Sequence, residues 1–304
     1  MKIFVAGGTG VIGRRAVPAL VEAGHDVSVV ARTPERDALV DSLGARPVRV
    51  DLFDAAGLVT AVSGHDVVVN LATHIPPLSR ASRAANWEEN DRIRTEGSAN
   101  LVAAARANGV GRVVQESITF PYADGGDAWI DEDAERPPSV FSAPVDAAEA
   151  EAMGFAEDGR AGVVLRFAQF HAPDASHAVP YARAFRMRVN PLVGDPDAYM
   201  SFIGMDAAAR AVVASLDVPS GAYNIADDDP PTRREAGRTV AAALGVKPPR
   251  HLPAGPVRRV VPSTEVLARS HRISNRRFSE ATGWNPDFAG ADGLAASLAA
   301  YVAG

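Results

Sequence analysis

The feature that most constrains this chain is the run Gly7-Gly8-Thr9-Gly10-Val11-Ile12-Gly13, placed directly behind the apolar stretch Ile3-Phe4-Val5-Ala6. Glycines spaced this way permit a tight turn, let a following helix start close against the strand, and let backbone N–H groups approach a diphosphate. A glycine pattern of this kind is weak by itself. Its weight comes from its setting: a strand before it, and a helical pattern from Gly13 to Ala23 after it. The expected cradle for the diphosphate of a nicotinamide dinucleotide is therefore Gly7, Thr9, Gly10, Val11, Ile12 and Gly13.

The first half of the chain keeps the same rhythm. Apolar runs at Lys2–Ala6, Asp26–Ala31, Pro47–Val50, Asp66–Ala72 and Arg112–Gln115 alternate with helical patterns at Gly13–Ala23, Pro34–Leu43 and Trp87–Asn108. Strands that read as continuous apolar runs suit a parallel sheet covered on both faces. Strand alternating with helix implies right-handed crossovers, so the expected fold is α/β, a Rossmann-type doubly wound parallel sheet. A polar, proline-bearing segment from Glu116 to Ser139 is too long for an ordinary loop between strand and helix, and such loops are commonly functional. A helical pattern at Phe141–Ala156 and a strand at Gly162–Phe170 follow it. Residues 1–170 are thus expected to form the dinucleotide-binding domain. Residues 171–304 are expected to form a smaller substrate lobe, with helices at Asp206–Leu216, Arg233–Leu244 and Gly293–Val302 and a strand at Ala222–Ala226 that partly returns to the sheet.

The end of the second strand bears on which dinucleotide fits. An acid there would hold the ribose 2′-hydroxyl of NAD, whereas an arginine would take the 2′-phosphate of NADP. The sequence reads Val30-Ala31-Arg32-Thr33, with Glu35 and Arg36 close behind and no acid at the tip. Arg32 favours NADP, and NAD stays open as the alternative.

Composition excludes several classes. A net charge of −6 gives no electrostatic footprint for nucleic acid, whose binding rests on Lys and Arg contacts to phosphate. There is no cysteine, so no disulfide, thiolate nucleophile or thiolate metal site exists. No run approaches the roughly 20 apolar residues of a membrane span, and the N-terminal apolar stretch is cut short by glycines, unlike a secretory leader. A cytoplasmic protein acting on a small molecule, without membrane or nucleic-acid partner, is the expectation.

With these residues in place, the chain resembles the extended and atypical short-chain dehydrogenase/reductase superfamily of NAD(P)-dependent epimerase/dehydratase type. The resemblance runs through GGTGVIG, Asp51-Leu52, Asn70-Leu71-Ala72-Thr73, Leu165-Arg166-Phe167, Phe202-Ile203 with Asp206-Ala207-Ala208, and Gly221-Ala222-Tyr223-Asn224-Ile225. It implies that Asp51 and Leu52 lie near the adenine, and that Leu71, Ala72 and Thr73 lie under the cofactor. It also implies a homodimer.

One departure bears directly on the chemistry. The family's reaction rests on a Tyr-x-x-x-Lys pair at a helix start, and here Phe141 and Val145 occupy those positions. A positioned general acid contributes roughly 10²–10⁴-fold, so another group has to supply the proton or the reaction has to proceed without one. Ser117, just past the fifth strand, and Tyr122, five residues later, are the candidate catalytic groups. His74 and His171, both at carboxyl ends of expected strands, are further candidates, each with an ordinary structural role as the plainer alternative. The acids Asp124, Asp127, Asp131, Glu132 and Asp133 do not fit a calcium loop and read as a solvated rim. Arg258, Arg259, Arg269, Arg272, Arg276 and Arg277 could grip an anionic substrate, although a salt-bridged surface is the plainer reading. The expected function is NADP-dependent oxidoreduction of a small carbonyl or alcohol with a noncanonical proton donor. The rivals are a noncatalytic dinucleotide-binding redox sensor resembling the NmrA-like proteins and a cofactor-bearing epimerase or isomerase.

Overall fold

The computed structural model describes residues 1–76, 80, 83–157, 159–175, 178–251 and 264–303. Eleven strands occur among them: β1 (Lys2–Ala6), β2 (Asp26–Val30), β3 (Arg46–Val48), β4 (Val67–Asn70), β5 (Arg112–Ile118), β6 (Trp129–Ile130), β7 (Ala161–Phe167), β8 (Gln169–His171), β9 (Phe202–Gly204), β10 (Gly221–Ile225) and β11 (Arg272–Ile273). Seven of them form one sheet in the order β10-β7-β5-β4-β1-β2-β3. Every ladder in it is parallel. The expected doubly wound Rossmann sheet is therefore present.

Alternation along the strands divides the core between two faces. On β1, Ile3 and Val5 pack with Ala16, Val17 and Leu20 of α1 (Gly13–Glu22) and Val40 of α2 (Pro34–Ser42). Phe4 and Ala6 face the other way, onto Leu58 and Val62 of α3 (Ala55–Val62). The helix expected over Trp87–Asn108 is present but interrupted: α4 (Glu88–Arg92) runs into a π-helical segment, Ile93–Gly97, and then into α5 (Ser98–Ala107). The wider turn carries Arg94 to Glu116 of β5, where the ion pair is 3.1 Å long and both side chains are buried. Next come α6 (Ala143–Gly154) and α7 (Ala178–Arg186), and then α8 (Met205–Ala214), which lies against α1. Arg15 of α1 ties the two halves of the chain together, pairing with Asp206 of α8 at 2.8 Å and with Asp174 at 2.7 Å.

Among the described residues beyond 171, only β10 joins the main sheet, beside β7. Helix α9 (Arg233–Ala243) opens with a capping box between Thr232 and Glu235 and packs with α7 and the C-terminal helix Asp292–Ala303. Two short parallel pairs, β8 with β9 and β6 with β11, complete this side. The pair β6–β11 anchors the long segment after β5, since β6 lies inside it. Among the described residues no helix is long and apolar enough to cross a membrane.

Two tests follow from the packing. A Cβ at Gly162 of β7 would lie 1.8 Å from the carbonyl oxygen of Ala152 in α6, so Gly162→Ala is expected to cost roughly 3 kcal/mol of stability. Unfolding within a few tenths of a kcal/mol of wild type would contradict that closeness. His271 is buried, and burial, with Arg233 and Arg269 nearby, pushes its pKa down to about 4, against the hydrogen bond it makes to the Tyr122 carbonyl. The folded state therefore binds fewer protons than the unfolded chain between the ordinary value of 6.5 and about 4, and this contribution to stability is lost as pH falls through that window. The urea midpoint should drop more between pH 7 and pH 4.5 in wild type than in His271→Gln; equal drops would contradict the assignment.

Candidate functional site

The strand order reverses between β1 and β4, and open α/β sheets bind ligands in the crevice at the carboxyl ends of such strands. The glycine turn occupies that crevice. Gly7 has φ +77°, and a Cβ there would lie 2.4 Å from the carbonyl carbon of Leu71. A Cβ on Gly13 would fall 2.3 Å from the Gly7 oxygen. The turn is closed by the Gly10 N–H donating to the Gly7 carbonyl at 2.9 Å, and the Arg14 N–H donates to the Gly10 carbonyl at 3.0 Å. Gly10 and Val11 are exposed, and a Cβ on Gly10 would meet only the Gly7 oxygen, at 3.1 Å. The start of α1 therefore presents backbone to the solvent at the crevice, and the cradle fits a diphosphate. Thr9 lies in the same turn, half-buried, and Ile12 anchors it in the core.

Leu71 and Ala72 form the floor beside Gly7. The Leu71 N–H donates to the Ala6 carbonyl at 2.9 Å, and the Ala72 N–H to Asn70 Oδ1 at 3.1 Å. Asn70 in turn donates to Gln115 at 2.9 Å and to Ser98 at 3.1 Å, which fixes the exit of β4. Thr73 follows, half-buried. On the β2 side Arg32 is exposed, and Arg36, in the first turn of α2, donates to the Thr9 hydroxyl. Of the two arginines it is Arg36 that touches the glycine turn. Asp51 is exposed just past β3 and accepts from the Phe53 N–H at 2.9 Å, while the neighbouring Leu52 carbonyl accepts from Asn100.

Ser117, expected just past the fifth strand, lies inside β5 because that ladder with β7 runs on through Ile118; it and Tyr122 are brought into one network, but a buried one. Each is 0% exposed. The Ser117 hydroxyl donates to Glu149 of α6. The Tyr122 hydroxyl donates to Asn224 Oδ1 at 2.8 Å and accepts from Arg166 at 2.7 Å. Arg166 also grips Glu149, with Nη2 at 2.7 Å, and Arg136 reaches the same carboxylate. Burial opposes the Glu149 charge, yet the hydrogen bonds and charges of Arg166 and Arg136 overcome it and hold the carboxyl below its ordinary pKa. Burial pushes the Tyr122 phenol up despite the neighbouring Arg166, which makes it a weaker acid.

Phe141 stands just before α6, half-buried, with its ring edge-on to Trp87 at 6.1 Å between centroids. Val145 is buried in the first turn of α6. Neither offers a proton or a charge.

The remaining candidates are engaged within the chain. His74 is exposed, 3.6 Å from Glu89, and its N–H donates to Asn90. His171 is buried between Asp227 at 2.8 Å and Ser297 at 3.1 Å, tying β8 to the C-terminal helix. Asp124 and Asp131 accept from backbone N–H groups two residues on, while Glu132 and Asp133 pair with Arg277. Asp127 is exposed. No group of three His, Asp or Glu side chains is placed to hold a metal among the described residues. Arg258 and Arg259 lie outside the described residues. Arg269 donates to the Tyr122 carbonyl, Arg272 lies over the Trp129 and Tyr199 rings, and Arg276 is 3.7 Å from Glu280.

Sequence reasoning passed over Glu149 and the reach of Arg136. A signal was available: an arginine inside the apolar run of β7 has to find an acid when it is buried.

Comparison with known proteins agrees with this geometry. Residues 3–226 match the model of the NAD dependent epimerase/dehydratase family. A 3-diazoavenalumate denitrifying reductase from a Streptomyces species is 35% identical over 94% of this chain and 96% of that protein. A 2-alkyl-3-oxoalkanoate reductase from Stenotrophomonas maltophilia is 28% identical over 81% of this chain and 76% of that one. Among solved structures, the human epimerase family protein SDR39U1 with NADPH superposes with a TM-score of 0.80 at 24% identity, covering 99% of each chain. The UDP-glucose 4-epimerase of Thermotoga maritima gives 0.79 at 20% identity, over 100% of this chain and 99% of that one. The glycine cradle, the parallel sheet and the family match over most of the chain lead to one conclusion: this protein belongs to the NAD dependent epimerase/dehydratase family, whose fold binds NAD(P).

Proposed function

We propose that this protein is an NADP-dependent reductase that delivers hydride to a small organic electrophile in the cytoplasm, with residues 171–304 on the substrate side. When bound, the dinucleotide supplies the hydride. The cradle Gly7–Gly13 would hold its diphosphate, Arg32 and Arg36 its 2′-phosphate, Asp51 and Leu52 its adenine end, and Leu71, Ala72 and Thr73 its nicotinamide half.

The observation that carries the reading further is the fate of the two candidate proton donors. Reduction of a carbonyl needs a proton on oxygen as hydride reaches carbon. The Ser117 and Tyr122 hydroxyls are buried and donate inward, to Glu149 and Asn224. The acceptor that suits such a site takes hydride without a proton from either group. A carbon bearing a diazonium group is of this kind: the C–H bond forms, the C–N bond breaks, and dinitrogen leaves with the bonding pair. The similarity to a denitrifying reductase named for a diazo substrate supports this reading over a simple carbonyl reductase. The missing Tyr-Lys pair also suits a noncatalytic redox sensor, and turnover separates the two.

Two experiments test the proposal. NADPH oxidation is followed with arenediazonium salts and with a panel of aldehydes and ketones, each against the rate without protein. The expected result is turnover of a diazonium compound with release of dinitrogen that survives Tyr122→Phe. Carbonyl turnover abolished by Tyr122→Phe would restore Tyr122 as the donor, and tight NADPH binding without any turnover would favour the sensor. Separately, Arg36→Ala and Arg32→Ala should each weaken NADPH by about tenfold or more, as loss of a hydrogen bond to a charged phosphate would, with NADH nearly unaffected. Equal losses for both dinucleotides would contradict the NADP assignment.

A further inference from the structure

The loop after β4 and the approach to α6 share a feature that the reductase reading does not use. Each holds a large apolar side chain out to solvent. Val140 is 95% exposed and Ile75 58% exposed. In the same two stretches of chain, the half-buried rings of Trp87 and Phe141 meet edge-on at 6.1 Å and 77°.

These residues come from three separate segments that the fold brings to one place. His74 links the loop after β4 to the start of α4, through Glu89 at 3.6 Å and through its N–H on Asn90 at 3.2 Å. Trp87 immediately precedes α4, and its ring meets Phe141, two residues before α6. All three segments lie at the carboxyl edge of the sheet, beyond β4 and β5. This is the side of the crevice away from Arg32, Arg36 and the exit of β2. A dinucleotide lying across the glycine turn with its 2′-phosphate at Arg36 has its reactive end on this side.

We propose that Ile75, Trp87, Val140 and Phe141 form the wall that receives the substrate, and that they select a flat aromatic ring. The inference rests on the reductase reading and specifies its substrate class. Three physical reasons point to an aromatic occupant. Aromatic side chains that are left half-buried at a ligand crevice offer apolar area whose covering is favourable. Offset or edge-to-face contact with Trp and Phe adds roughly 0.5–1.5 kcal/mol beyond area alone, which a saturated ring of equal size does not gain. The ionisable pair beside the wall, His74 and Glu89, is engaged within the chain at 3.6 Å, so neither group is held out to a charged ligand. Phe141 thereby has a role in place of a hydroxyl: its ring positions the acceptor and keeps water from the reacting carbon.

The test uses the full chain saturated with NADPH and two nonreactive probes of equal carbon skeleton, 2-naphthoate and decahydronaphthalene-2-carboxylate, titrated calorimetrically. The aromatic acid should bind about two- to tenfold more tightly than the saturated one, as the extra aromatic contact implies. That preference should fall toward unity in Trp87→Leu and in Phe141→Leu, and persist in Phe141→Tyr. Equal affinities, no binding of either probe, or a preference that survives both leucine substitutions would overturn the inference, whereas the reductase reading is decided separately, by turnover of the diazonium compound. Failure of the chain to bind NADPH would instead remove the reading on which it rests.

Discussion

The close approach of the glycine turn to the exit of β4 is the contact on which the rest of the site depends. Gly7 lies so near the Leu71 carbonyl, and Gly13 so near the Gly7 oxygen, that a methyl group at either position would overlap backbone. Because α1 can start that close to the sheet, its first N–H groups face the crevice at the point where the strand order reverses. The Asn70 side chain completes the arrangement from the other side, hydrogen-bonding the Ala72 N–H and, through Gln115 and Ser98, fixing β4 to β5 and α5.

A second constraint lies deeper, at the carboxyl ends of β5 and β7. Glu149, Arg166, Arg136, Ser117, Tyr122 and Asn224 form a continuous buried network that joins α6, two sheet strands, the long segment after β5 and β10. Buried charges cost several kcal/mol in desolvation, and removing one partner of such a pair is far more damaging than the pair is favourable. The network therefore specifies one arrangement of these elements. Both hydroxyls within it are 0% exposed and donate inward, to Glu149 and Asn224, and charge on the tyrosine is opposed by burial.

Much of the fold was legible because the strands are buried on both sides. Runs such as Ile3–Ala6 and Val67–Asn70 have no polar face to blur their pattern, and the glycine turn marks where the first strand ends. Short elements were not legible for the opposite reason. Helix α3 buries only Leu58 and Val62, and β6, β8, β9 and β11 span two or three residues each, too few to establish a period. The π-helical segment in the long helix was equally invisible, and the Arg94 it carries pairs with Glu116, a contact 22 residues apart in sequence. At the site, the backbone cradle could be read from glycine spacing, whereas the engagement of Ser117 by Glu149 and of Tyr122 by Arg166 depends on helix and strand packing that no local pattern encodes. Arg36 is intermediate: its nearness to the second strand was visible, but its hydrogen bond to Thr9 depends on where α2 turns.

The central claim is that this backbone cradle holds a nicotinamide dinucleotide and that arginine at the exit of β2 selects the phosphorylated form. Calorimetric titration of the purified chain with NADPH, NADP, NADH and NAD tests it most directly. The account predicts binding at one site per chain, with the two phosphorylated forms clearly the tighter. Absence of heat from all four, or tighter binding of the unphosphorylated pair, would contradict it.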